Sequence, residues 1–412
     1  THHKGYDYYS AHVLLRNMGK LKTFTMGDYK ASFGQGLVLS QDFTPGRSTI
    51  LTQAERRNNG FRRHYSTNEI DYLRGVASTV RWKEIELSLF YSYRKLDASV
   101  NDSSITSFKT DGLHRTIGDW GKRRTVTMQT YGGNIRYATP NMVIGLTGVA
   151  YDFGKLGVDQ ELKPYNLYYF RGTQNVNASI DYLFKYGRTK IYGETAVSKN
   201  GAWATLNALQ WTPASYVSGL VLYRSYAKDY QAYFGNAFSQ NSTVQNEQGF
   251  YIGAQLAPIA NWKISAYADF FRFPWLKYGV DAPSSGVEYM VQIDYSVWKK
   301  FSSYLRYRYR QKESNQTIEN QPEISVLPYE QHRIRWQMIY TPVTSLNLRS
   351  SVDFTMDKEE EGSNSNGWMV AQRIGWTPGQ IPLQADLYVA YFHTDDYASR
   401  LISFEKNLLY VY

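Results

Sequence analysis

Between residues 287 and 310 the chain alternates. Val287, Tyr289, Val291, Ile293 and Tyr295 take every second position, with Glu288, Met290, Gln292 and Asp294 between them. After a turn over 296–300, Leu305, Tyr307 and Tyr309 resume the apolar row, and Arg306, Arg308 and Arg310 sit opposite. Successive side chains of a strand point to opposite faces, so the spacing predicts a hairpin with one apolar or aromatic face and one charged face. In a soluble sandwich the apolar face meets a second sheet. In an outer-membrane barrel it meets lipid, and the charged face meets a wet lumen.

The same alternation recurs along the chain. Leu87, Leu89, Tyr91 and Tyr93 form one row; Val176, Ala178, Ile180, Tyr182 and Phe184 form another. Phe250, Ile252, Ala254 and Leu256 precede a row of Trp262, Ile264, Ala266, Ala268 and Phe270, and Leu383, Ala385, Leu387, Val389 and Tyr391 close the series. Residues 72–82 alternate poorly, since Arg74 and Arg81 have opposite parity, so a bulge or a shorter strand is expected there. The pattern amounts to about 19 strands.

The connections fall into two sets. Short ones are expected at 17–21, 83–85, 139–142, 187–188, 212–215, 258–261, 296–300, 341–345 and 377–380. Longer ones are expected at 42–69, 96–124, 154–173, 227–248, 274–286 and 312–328, with lesser ones at 358–366 and 394–399, and 199–201 is a tight exception on that side. Brief periplasmic turns and extended outer loops are the mark of outer-membrane barrels. The expected fold is therefore all-β, a single domain over 1–412: a large antiparallel transmembrane β-barrel of about 18–20 strands. Bacterial single-chain barrels normally have even strand numbers, and the first strand runs from the long-loop side, so at least one further strand is expected before Thr1.

Several short turns share chemistry. Tyr137, Trp211, Leu256, Tyr340 and Trp376 each stand two or three residues before a proline, at Pro140, Pro213, Pro258, Pro342 and Pro378. Proline cannot donate a ladder hydrogen bond and belongs where pairing stops. Ordinary hairpin punctuation explains the proline but not the large residue. Tyr137, Trp211, Tyr340 and Trp376 are expected to form a periplasmic-side aromatic girdle.

Composition narrows the classes. Mean hydropathy is −0.50, and no apolar run approaches the roughly 18 residues of a spanning helix, which excludes an α-helical membrane protein but not a barrel. Tyrosine is abundant, 37 of 412 residues with 10 Trp and 19 Phe, which suits membrane interfaces and carbohydrate-binding surfaces. With no cysteine, disulfides, thiolate metal sites and cysteine nucleophiles are ruled out. The net charge of +10 suits an anionic partner such as nucleic acid, lipopolysaccharide or an acidic solute, or simply a basic surface.

The most distinctive sequence is at the start: Gly5-Tyr6-Asp7-Tyr8-Tyr9-Ser10, Gly19-Lys20-Leu21-Lys22, Gly27-Asp28-Tyr29 and Phe33-Gly34-Gln35-Gly36-Leu37. Over residues 5–48 it resembles the large outer-membrane barrels of Bacteroidota associated with an N-terminal helix-hairpin-helix module, with a weaker likeness around His393 to Asp396 and Asn407 to Tyr410. The resemblance implies location and fold. The module is absent from these residues, so a DNA-binding role is not carried over, and nucleic acid is not an expected partner. Read physically, the Gly34-Gln35-Gly36 run is a strand end where glycine permits a bend or close backbone approach. A phosphate-cradling loop is the alternative, but the Lys-Ser/Thr and following helix of such a site are missing.

Candidate chemistry centres on a basic ladder. Arg306, Arg308 and Arg310 continue in Arg333, Arg335 and Arg349, all on the expected lumen face. Guanidinium groups in a pore attract anions, including phosphates; the structural alternative is an ion-pair network with Glu288, Gln292, Asp294 and Asp353. A second cluster, Arg56, Arg57, Arg62 and Arg63 with His64, lies in the first long loop, and Lys122, Arg123 and Arg124 end the next. These are solvated loops or contacts for lipopolysaccharide phosphates. No metal-binding spacing exists among the histidines. His393, Asp395 and Asp396 at the outer rim are a polar loop end or an Asp–His couple for activating water, and Asp357 with Glu359 to Glu361 is a loop tip or a weak Ca²⁺ site.

The function expected is a non-catalytic channel or translocation component with a basic lumen and no cofactor, in contact with membrane lipid and lipopolysaccharide. The alternatives are a scaffold subunit among other envelope proteins, its interior closed by the two long loops, and a rim hydrolase.

Overall fold

The computed structural model describes residues 8–42, 54–65, 68–101, 103–298, 300–318, 324–360, 364–379, 381–403 and 405. Among the described residues nineteen strands belong to one sheet in which sequential neighbours pair antiparallel, and three short strands form a second sheet. No helix among the described residues is long and apolar enough to cross a membrane. The chain divides into two compact units, one of residues 1–47, 53–209 and 223–248, the other of 48–52, 210–222 and 249–412.

The first unit contains β1 (His12–Met18), β2 (Leu21–Ser32), β3 (Gly60–Arg63), β4 (Leu73–Trp82) and β5 (Ile85–Leu96). The short β6 (Ala98–Val100) and β7 (Ser104–Phe108) and helix α1 (Ile117–Gly121) follow, then β8 (Val126–Ala138), β9 (Met142–Asp152), the short β10 (Gly157–Val158), β11 (Gln174–Tyr186) and β12 (Thr189–Ser198). Polarity along these strands is inverted relative to a water-soluble fold. On β5, Leu89 is 58 % exposed while Ser92 on the opposite face is 1 % exposed; on β11, Val176 and Ile180 are exposed while Asn177 and Asp181 are buried. β-Branched and aromatic residues favour the strand and then face outward, where only an apolar solvent stabilises them.

Directly after β2 the chain does not run outward. Residues 33–41 are buried, and Phe61 on β3 packs edge-on against Tyr29, Phe33 and Phe90 with ring centroids 5.9, 5.4 and 6.0 Å apart. Part of the first unit's inward side is thus filled by an apolar core. The expected connection over 42–69 therefore includes a strand, and the stretch that turns inward begins earlier, at Phe33.

The second unit carries β16 (Trp262–Phe273), β17 (Ser284–Val297), β18 (Phe301–Thr317), β19 (Ile324–Val343), β20 (Leu346–Glu359), β21 (Ser365–Trp376) and β22 (Ala385–Thr394). β13 (Trp203–Ala214), β14 (Val217–Tyr226) and β15 (Glu247–Leu256) complete the strands. Val291 and Ile293 on β17 are exposed, whereas Glu288, Met290 and Gln292 are buried. The long connection expected over 312–328 is mostly strand: β18 and β19 stay paired out to Thr317 and Ile324. Gln311 to Gln316 carry enough polar groups to have read as a loop, but a hairpin ladder satisfies their backbone groups equally well. Pro213 and Pro342 fall within the last residues of β13 and β19 rather than in the turns. The irregularity expected in β4 lies on its partner, where the register shifts between Leu21 and Thr23.

Candidate functional site

Strand register places the arginines in rows across the polar face of the second unit. One row reads Glu288–Arg310–Gln331–Asp357, the next Met290–Arg308–Arg333–Thr355, and the next Gln292–Arg306–Arg335–Asp353. The first row is bounded by carboxylates at both ends and the third by one, Asp353. Arg310 Nε donates to Glu288 Oε2 at 2.7 Å, and Tyr267 donates to the other oxygen at 2.7 Å. Arg335 Nε lies 3.3 Å from Asp353 Oδ1, and Arg306 Nε donates to Gln292 Oε1 at 2.6 Å.

The middle row has no acid. Arg308 stands directly opposite Arg333, and neither forms an ion pair among the described residues; Arg333 Nε is buried without a hydrogen-bond partner. Like charges directly opposite one another on a sheet are destabilising by up to about 1 kcal/mol. The pairing of Arg306 with Arg335 repeats the motif one row away. Arg349 is in register with Arg373, not with a carboxylate, and Asp353, a member of the expected ion-pair network, serves Arg335. Arg373 was missed by sequence reasoning. Its parity within Ala371-Gln372-Arg373-Ile374 was readable, but its facing of Arg349 needed the register.

Elsewhere the expected sites separate. In the first unit, Gly27 lies on β2 with its α-carbon facing the Ala11 carbonyl so closely that an added Cβ would stand 2.2 Å from the oxygen. Asp28 is buried against Arg74, with Nε–Oδ1 at 2.6 Å, and the Tyr29 hydroxyl donates to Tyr91 O at 2.9 Å. Gly34 and Gly36 have φ of +60° and +85°. Those left-handed residues turn the N–H groups of Gln35 and Leu37 onto one carboxylate oxygen, Glu194 Oε2, at 2.6 and 3.0 Å. The glycine-rich run does cradle an acidic group, but that group is the chain's own Glu194 carboxyl on β12, fully buried. No phosphate site is left there.

Arg56 is not in a solvated loop as expected. It is buried, donating from Nε to Asn236 O at 3.0 Å and from Nη2 to Ala237 O at 3.2 Å, while its backbone N–H donates to Gln35 Oε1 at 3.0 Å. The inward packing of residues 33–41 takes it inside. Arg62 pairs with Asp42, and Arg63 lies over the Tyr65 ring at 4.8 Å; Arg57 is exposed. Tyr137, Trp211, Tyr340 and Trp376 are all exposed at the short-turn ends of their strands. His393 Nε2 lies 3.2 Å from Asp395 Oδ1, but the imidazole is well exposed and Asp396 is occupied by Ser365 and the Ala398 N–H. Asp357 is buried in β20, bonded to Tyr329, Gln331 and Thr355, and so is not part of an acidic loop tip; Glu361 lies outside the described residues. No group of metal-ligating side chains occurs among the described residues.

An antiparallel sheet with apolar side chains outward and buried polar rows inward defines a transmembrane β-barrel of the outer-membrane type. No family model and no curated protein matches the chain. Among solved structures it is similar to OmpT, an outer membrane protein of Vibrio cholerae, at 11 % identity over 77 % of this chain and 89 % of that one with a TM-score of 0.37. The FrpB iron transporter of Neisseria meningitidis matches at 10 % identity over 78 % and 59 %, TM-score 0.44, and Pseudomonas aeruginosa OccK9 at 9 % over 79 % and 86 %, TM-score 0.40. With TM-scores below 0.5 these are distant likenesses, and the class rests on the polarity of the sheet itself.

Proposed function

We propose that the chain is a passive, non-catalytic channel of the bacterial outer membrane whose arginine-bearing lumen face draws in anionic solutes. The observation that carries this reading is the row Met290–Arg308–Arg333–Thr355, two guanidinium groups face to face with no carboxylate in the row and none bonded to them among the described residues; Asp353 and Asp357 lie in the neighbouring rows. A purely structural ion-pair network would bond each of these guanidinium groups to a carboxylate. Fixed positive charge in a confined, partly desolvated space raises the local anion concentration and repels cations. Reversal potentials across planar bilayers under a KCl gradient test it. Anion preference is expected, diminished in Arg308→Gln/Arg333→Gln; a cation preference in the unaltered protein would refute it.

A second reading, a closed scaffold subunit working with other envelope proteins, is favoured by the inward-packed residues 33–41 and their anchor on Glu194. It requires a different outcome in the same experiment: a folded, inserted protein that carries no current and copurifies with envelope partners. Contact with lipopolysaccharide follows on either reading from basic groups such as Arg57 and Arg63.

A further inference from the structure

Two cavities among the long connections of the first unit share Ile70, Phe108, Thr110 and Tyr233 as lining. The larger, about 670 Å³, has an aromatic floor. Tyr151 and Phe153 are buried in it, Phe170 packs 5.8 Å from Tyr151, and Tyr233 stands edge-on to Phe108 at 5.9 Å. Tyr169 and Tyr233, also on its wall, remain 40 % and 41 % exposed. Amide and hydroxyl side chains (Asn68, Thr110, Gln160, Thr243) are interspersed with the rings. The smaller cavity, about 270 Å³, is basic, with Arg94, Lys95 and Arg124 on its wall. Arg94 spends its guanidinium on the carbonyls of Glu69, Ile70 and Tyr72, so its charge has no carboxylate partner. The side chains of Lys95 and Arg124 make no hydrogen bond or ion pair among the described residues. Of the smaller cavity's two carboxylates, Asp97 is engaged by His114 at 2.9 Å and by the Arg124 N–H at 2.7 Å, and Glu69 is the other; of the larger cavity's two, Asp42 pairs with Arg62 and Asp71 accepts from Asn68 Nδ2 at 2.9 Å.

We propose that this pair of cavities binds an acidic saccharide. The C–H face of a pyranose ring stacks on Tyr233 and Tyr169, its hydroxyls exchange hydrogen bonds with the intervening amides and hydroxyls, and its carboxylate or phosphate group reaches Lys95 and Arg124. An acyl chain would need an unbroken apolar wall, which the polar side chains interrupt. A polynucleotide would need a basic track running along its whole backbone, whereas here the basic groups gather at one end. The same chemistry comes from two sources, a free acidic oligosaccharide or the phosphorylated core of a lipid-anchored one.

Calorimetric titration of the full chain in detergent micelles tests this, with hexagalacturonate, deacylated lipopolysaccharide core, maltohexaose and a six-nucleotide single-stranded DNA as probes. At least one acidic saccharide is expected to bind ten times more tightly than maltohexaose or the DNA. Preference for the core assigns the lipid-anchored source, and preference for hexagalacturonate the free one. Tyr233→Ala is expected to weaken binding at least tenfold. Lys95→Gln/Arg124→Gln is expected to erase the preference for acidic probes while leaving maltohexaose unaffected. Both variants are checked for the heat-modifiable migration of a folded barrel. Binding by none of the probes, equal affinity for the neutral sugar, tighter binding of DNA, or affinity unchanged in folded Tyr233→Ala would overturn the proposal. None of these outcomes depends on whether the chain conducts ions.

Discussion

Replacing Gly34 by alanine attacks the contact that holds residues 33–41 inside the first unit. The added methyl would sit 2.7 Å from Glu194 Cδ and 2.8 and 2.9 Å from its two oxygens, so the carboxylate must move off the N–H groups of Gln35 and Leu37. Two costs follow. An L-residue at φ +60° costs about 1 kcal/mol in backbone strain. Losing two hydrogen bonds to a buried carboxyl leaves two buried N–H donors unsatisfied and costs roughly 1–3 kcal/mol each. Gly19 separates the two, because it has the same φ of +60° with nothing within 4 Å of its would-be Cβ. Gly19→Ala is therefore expected to show the strain alone, about 1 kcal/mol. Gly34→Ala is expected to lose about 3 kcal/mol or more of local stability, which accelerates amide exchange at Gln35 and Leu37 by at least about a hundredfold. Hydrogen exchange read by mass spectrometry on the folded protein in micelles measures both. If exchange in residues 33–41 of Gly34→Ala stays within threefold of that in Gly19→Ala, the Glu194 anchor does not hold this segment.

Two further outcomes follow from buried charges in the first unit. Arg224 and Glu247 are each 0 % exposed and 2.6 Å apart, and Glu247 also accepts the N–H groups of Gln240 and Asn241. Glu247→Gln is expected to lower stability by about 3–5 kcal/mol because it leaves the guanidinium charge buried without its carboxylate. Arg224→Met/Glu247→Leu should cost much less, and urea midpoints in micelles compare the two. His64, buried and stacked on Tyr72 at 4.8 Å, has its pKa pushed down to about 4 from 6.5, first by burial and then by Lys30. Below pH 6.5 the unfolded chain binds a proton that the folded loop refuses, so this contribution is intact above pH 6.5 and is lost as the pH falls toward about 4. The loss amounts to about 3 kcal/mol. The apparent unfolding temperature should drop across that window, and less in His64→Phe; equal drops in both would exclude His64 as the cause.

Much of the fold was legible because a strand repeats every two residues and needs no distant partner to show its polarity. Val291 against Gln292, or Leu89 against Ser88, already separates a lipid-facing row from an inward one. The short turns at 83–85, 187–188 and 258–261 were likewise local, set by residues that stop pairing. The ladder arginines were readable as sharing a face for the same reason. What pairs with what was not. Register decides that Arg308 faces Arg333, that Asp353 serves Arg335 and that Arg349 meets Arg373, and a shift of one residue would exchange every partner.

The inward segment was still less accessible. Phe33-Gly34-Gln35-Gly36 shows in sequence only that the backbone can bend, since its carboxylate partner is 160 residues downstream of Gly34. Arg56 shows the same limit, because an arginine among arginines reads as solvated until the chain is folded around it. Alternation along one strand is a local property and passes directly from sequence to surface. Which charges are compensated, and which space is filled, depends on groups brought together from far apart in the chain, and that only the tertiary structure decided.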